Sequence, residues 1–156
     1  MNIQERTESI NNVIRNLAEF IQTNELVKDD FNEYLRTIGA NSNNRVPLQS
    51  ACFNYILERN LGEELKSIPQ LYMENTKKLS KETKSIIEAI DNSISSVFEV
   101  KRVLKNGFEL FNIVNERKYM ITSLMKMTSL KSIGSGDFVI ARIVNFGGDY
   151  YLLEIS

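Results

Sequence analysis

Residues 83–104 read TKSIIEAIDNSISSVFEVKRVL, and the spacing of apolar residues changes part-way along them. Thr83, Ile86, Ile87, Ile90 and Ile94 recur at helical spacing, whereas from Val97 the chain runs Val97-Phe98-Glu99-Val100, β-branched and aromatic. A period near 3.6 argues for a helix, and a short β-branched run argues for a strand. The chain therefore predicts an α+β protein. An N-terminal helical bundle of four to five helices occupies residues 1–96, and a small five-stranded antiparallel β-barrel occupies residues 97–156.

Working back from that boundary, Ile3, Ile10, Ile14, Leu17 and Ile21 form a stripe that predicts an amphipathic helix over residues 3–22. The same stripe fits a heptad seam, which would join two copies of the chain. Asn24 suits an N-cap and Gly39 a C-terminal stop, bracketing a helix whose apolar face is Val27, Phe31, Tyr34, Leu35 and Ile38. Residues 39–44 read as a loop, and Pro47 suits the first turn of a third helix carrying Leu48, Ala51, Cys52, Tyr55 and Ile56. Leu61, Leu65, Ile68 and Tyr72 predict a fourth helical stretch, interrupted at Pro69, and Ser80 caps a last helix that ends near Ile94.

Working forward, strands are expected over residues 97–104, 108–114, 118–122, 137–144 and 150–155. Asn106-Gly107 is a two-residue hairpin signal, and residues 115–117 and Gly147-Gly148-Asp149 suit tight connections. Residues 123–136 form a longer excursion. Short strands joined mostly by tight turns imply a closed or nearly closed barrel.

Three segments of this half carry a resemblance. Val97-Phe-Glu-Val-Lys-Arg-Val, Gly107-Phe-Glu-Leu-Phe-Asn-Ile-Val-Asn-Glu-Arg-Lys-Tyr-Met-Ile and Gly136-Asp-Phe-Val-Ile-Ala-Arg-Ile-Val resemble a small barrel module of poorly characterised bacterial proteins. Some of those proteins also carry a SEC-C type Cys/His metal motif. The resemblance covers residues 97–156 and implies a fold. It carries no metal function here, because the chain has no histidine and one cysteine, Cys52.

That composition narrows the chemistry. Ser/His/Asp and Cys/His nucleophilic arrangements and zinc sites all need residues the chain lacks. Gly134-Ser135-Gly136 is not followed by the Lys-Ser/Thr end of a phosphate loop. Asp29-Asp30 and Glu63-Glu64 are neighbours in sequence, so their side chains diverge. The expectation is a protein that is not an enzyme and holds no cofactor or metal. Cys52 lies on an apolar stripe and reads as a packing residue. No apolar run reaches the length of a membrane span, and the polar N-terminus is unlike a secretory signal, so a cytoplasmic protein without membrane contact is expected.

What remains is binding. Residues 97–156 hold 8 Lys/Arg against 6 Asp/Glu, a weak positive balance beside the whole chain's −1. The first expectation is a non-catalytic interaction or adaptor protein whose partner is another protein or a second copy. The alternative is RNA or single-stranded DNA on the barrel. Candidate contacts are Lys101, Arg102, Lys118, Lys126, Lys131 and Arg142, with Phe108, Phe111 and Tyr119 as stacking rings. Met125 and Met127 lie in a methionine-rich stretch and, if exposed, would mark a protein interface.

Overall fold

The computed structural model describes residues 2–39 and 48–156. The chain divides into two compact units, Met1–Asp91 and Asn92–Ser156.

The first unit is built around one long helix, α1 (Ile3–Thr23), which packs against each of α2 (Glu25–Ile38), α3 (Leu48–Glu58), α4 (Ile68–Asn75) and α5 (Lys81–Asp91). Asn2 starts α1 with a reciprocal cap: its side chain accepts from Glu5 N, and the Glu5 carboxylate accepts from Asn2 N. The buried face of α1 is Ile10, Val13, Leu17, Phe20 and Ile21. Ile3 is exposed and Ile14 only half-buried, and the buried face packs against the other four helices of the unit. Asn24 caps α2 by accepting from Val27 N, and Gly39 ends it in the left-handed region at φ 67°. Pro47 and most of the expected loop lie outside the described residues. Cys52 is half-buried on α3, and burial raises its thiol pKa, as packing requires.

The expected fourth helix is shorter than its apolar pattern. Leu61 and Leu65 belong instead to a small hairpin, β1 (Asn60–Leu61) with β2 (Lys66–Ser67). Gly62 at φ 76° and Leu65 at φ 51° turn the chain left-handed, which no helix tolerates. Helix α4 then starts behind Ser67, whose capping box with Gln70 and a proline in the first turn fix its N-terminus.

The second unit is a closed barrel of β3 (Ile94–Leu104), β4 (Gly107–Asn112), β5 (Arg117–Ser123), β6 (Phe138–Phe146) and β7 (Asp149–Ile155), in the spatial order β3-β4-β5-β7-β6. Helix α5 stops at Asp91, and Ile94 opens β3 instead of closing the helix. The barrel is mixed, not purely antiparallel as expected: β5 and β7 run parallel over Ile121–Ser123. The reason is parity. Strands around a closed ring can alternate in direction throughout only if their number is even, so five leave one pair pointing the same way. The first strand closing on the fourth, and the third pairing with the fifth, is the connectivity of an OB-type Greek-key barrel.

Inside the ring, Phe98, Val100, Phe108, Leu110, Tyr119, Ile121, Val139, Ala141, Ile143 and Leu152 form one core. Each such large side chain contributes about 1.5–3 kcal/mol on burial. The excursion after β5 includes a 3-10 turn, Met127–Leu130. Leu130 joins the core, and Met125, Met127 and Ile133 pack against it.

Candidate interaction face of the barrel

In a strand, successive side chains point to opposite sides, so the register of the barrel fixes which residues share its outer surface. On β3, Phe98 and Val100 point into the core, which leaves Val97, Glu99 and Lys101 outside. Val97 stands opposite Ile140 of β6, and Glu99 stands opposite both Phe138 of β6 and Phe111 of β4. Just past β4, Ile113 N donates to Val97 O at 3.1 Å, which brings Ile113 beside the same stripe. Phe138 is 66% exposed, Ile140 57%, Ile113 44% and Val114 74%. These four, with half-buried Val97 and Phe111, make an apolar strip on the outside of β6, β3 and the β4–β5 turn.

The turn that presents Ile113 and Val114 is held rigidly. Asn112 is buried, and its Oδ1 accepts from Ser96 Oγ at 3.0 Å, Val114 N at 2.9 Å and Asn115 N at 3.3 Å. Asn115 Nδ2 in turn donates to Tyr119 Oη at 2.9 Å, while its Oδ1 accepts from Arg117 N at 3.0 Å. A polar network of this kind, anchored on buried Asn112 and Tyr119, fixes a geometry in advance of contact.

The charges along the strip are balanced within the chain. Lys101 Nζ lies 2.6 Å from Glu99 Oε2 and 5.4 Å from the centre of the Phe111 ring. Arg102 and Glu109, opposite each other in the register, are ion-paired, and Arg102 holds the Glu109 carboxyl below its ordinary range. Lys118, opposite Phe111, is exposed and makes no ion pair among the described residues.

The sequence-derived candidates are thus dispersed. Lys101, Arg102 and Lys118 lie around Glu99, Phe111 and Glu109. Lys126 and Lys131 are exposed on the excursion after β5. Met125 and Met127 are half-buried against the barrel core, so they fill the barrel instead of advertising an interface. Arg142 is 8% exposed and donates to Ser93 Oγ at 3.2 Å, with burial pulling its pKa down against the nearby Glu154; it is not a surface contact. Phe108 and Tyr119 are core rings, which leaves Phe111 outside. The residues that define the strip, Phe138, Ile140, Ile113 and Val114, were hidden in runs that look like core. The available signal was Phe138-Val139-Ile140-Ala141: a strand apolar on both sides must turn one of them outward.

Among the described residues no group of three or more Asp, Glu, Cys or His side chains could hold a metal, and no helix is long and apolar enough to cross a membrane. The molecule is an α+β protein pairing a helical unit with a closed five-stranded barrel whose outer strip is apolar and internally charge-balanced. The chain belongs to the family of unknown function DUF7986, whose profile matches residues 1–155 and so takes in both units. Neither a curated protein nor a solved structure matches it.

Proposed function

We propose that this protein is a non-catalytic interaction module that docks a protein partner on the outer strip formed by Phe138, Ile140, Val97, Ile113 and Val114. The observation that carries the reading is the pair Phe138 and Ile140, adjacent outward positions of β6 that remain mostly in water. Burying two such side chains yields about 1.5–3 kcal/mol each, which a partner would supply. Apolar residues grouped on one surface mark interaction sites more often than the same residues scattered singly. The rigid β4–β5 turn lowers the entropy cost of contact. With one cysteine and no disulfide, the protein suits a reducing cytoplasm.

A photo-cross-linking residue at position 138 or 140, with position 131 as the exposed control, tests this in extract of the source cells. Adducts at 138 and 140 that are absent at 131 support the reading. Equal labelling at all three, or none, overturns it.

A second reading, RNA or single-stranded DNA, draws on the OB-type connectivity and on Lys118 beside Phe111. It ranks lower because Glu99 and Glu109 neutralise two of the nearest cations and Lys101 already occupies the surroundings of the Phe111 ring. Titrating a random oligonucleotide against salt decides it. Binding that weakens steeply with salt and is lost in Lys118→Glu favours nucleic acid, and no binding at low salt removes it.

A further inference from the structure

We infer that the uncovered margin of β5, Lys118 to Met120, takes an extended peptide of another protein as an added strand, with an acidic side chain of that peptide set against Lys118. This margin is separate from the strip on β6 and β3, and the inference does not depend on that strip.

In an antiparallel pair, one couple of opposed residues exchanges its backbone bonds and the next turns them to the far side. Ser123 N donates to Asn106 O at 2.7 Å, which fixes the phase of the β4–β5 ladder. Counting back along β5 in twos, Ile121 and Tyr119 bond to β4, opposite Phe108 and Leu110. Thr122, Met120 and Lys118 therefore turn their backbone groups away from β4. On that side β7 covers β5 only from Ile121 to Ser123. Among the described residues no turn or loop backbone group bonds to Lys118 or Met120 either. The N–H of Met120 and both backbone groups of Lys118 thus face water.

A bare row of this kind is a template for a further strand. Its side chains select which strand. Lys118 is exposed and makes no ion pair among the described residues. The acids around it are spent: Arg102 holds Glu109, Asp149 has a partner, and Glu116 stands beside Arg117. An apolar strand gains nothing from the ammonium, whereas an acid abreast of it completes a cross-strand pair. Met120, two residues on and on the same outer side, is 55% exposed and offers that strand an apolar neighbour. The segment that fits is extended, lacks proline at its centre and alternates an acid with an apolar residue on one side.

A displayed library of random linear peptides, selected on the full chain, is the test. Enriched sequences are expected to carry Asp or Glu two positions from an apolar residue, and to shift the amide resonances of Lys118 and Met120. Methylating alternate backbone nitrogens of such a peptide should weaken binding about tenfold in one phase and leave it unchanged in the other, because only one set of its N–H groups faces β5. Selection on Lys118→Glu, with circular dichroism matching the wild type, should exchange the acid for Lys or Arg. No enrichment overturns the inference. So does equal binding by both methylated forms, or a selected acid that Lys118→Glu leaves unchanged. Shifts confined to Phe138 and Ile140 overturn it while leaving the strip standing.

Discussion

Gly107 shows how a correct residue can be read for the wrong reason. Asn-Gly suggests a primed turn, in which both central residues have positive φ. Here the two-residue connection is Lys105–Asn106, and Gly107 is already the first residue of β4, opposite Leu104. Its φ is not positive; what requires glycine is proximity, since a Cβ there would stand 1.8 Å from the Ile121 carbonyl oxygen. Gly107→Ala therefore forces β4 and β5 apart and is expected to cost about 3 kcal/mol, the upper end for overpacking, measured by urea unfolding. The β6–β7 turn is the opposite case: Gly147 and Gly148, at φ 63° and 85°, form the primed two-residue turn that glycine permits. Asn112 was invisible as a key residue, because an Asn at a strand end looks like turn punctuation. Removing its acceptor in Asn112→Ala strands the hydroxyl of Ser96 and two backbone N–H groups, an expected loss of about 2–3 kcal/mol in the same assay. Asn112→Asp, which keeps an acceptor, should lose less.

Among elements, the hairpin β1–β2 is where local backbone chemistry overrode an apolar pattern. Leu61, Leu65, Ile68 and Tyr72 are spaced for a helix, but Gly62 breaks it and leaves Leu65 left-handed and 69% exposed. A branched residue in that region costs about 1–2 kcal/mol. The exposed side chain returns little of this through burial. Leu65→Asn, which tolerates that conformation, is expected to raise stability by about 1 kcal/mol, read as a shift in the urea midpoint at unchanged slope. The other helices were legible because caps and stripes agreed, as with Asn24, Gly39 and Ser80. Strands were legible as runs, yet their ends moved by up to three residues. β-branched and aromatic composition indicates a strand but says nothing about where pairing begins.

For the whole molecule, the composition dictates a pH response. With no histidine, no side chain has an ordinary pKa between about 5 and 8, and burial lifts Cys52 further away. Stability is expected to be flat across that window. On the acid side, the hydrogen bonds from Arg59 hold Asp30 below its ordinary range, and the Tyr55 hydroxyl at 2.8 Å assists against the opposing effect of burial. A depressed carboxyl stabilises fully above its unfolded pKa of about 3.9 and stops doing so as pH falls through the lower folded value. Unfolding free energy should therefore decline below about pH 4, and less steeply in Asp30→Asn, as thermal melts between pH 2 and 8 would register. The two-part architecture was legible from apolar spacing alone. The interaction strip was not, because a sequence does not say which side of an apolar strand a five-membered ring turns outward.

The odd strand count leaves a further mark. Four of the five strand junctions are antiparallel and carry six register pairs apiece, whereas the like-directed β5–β7 junction carries three. A hoop with one short join parts at that join. Thermal breathing of the barrel should begin beside Ile121–Ser123, and during folding this same stitch should be the last to be drawn tight.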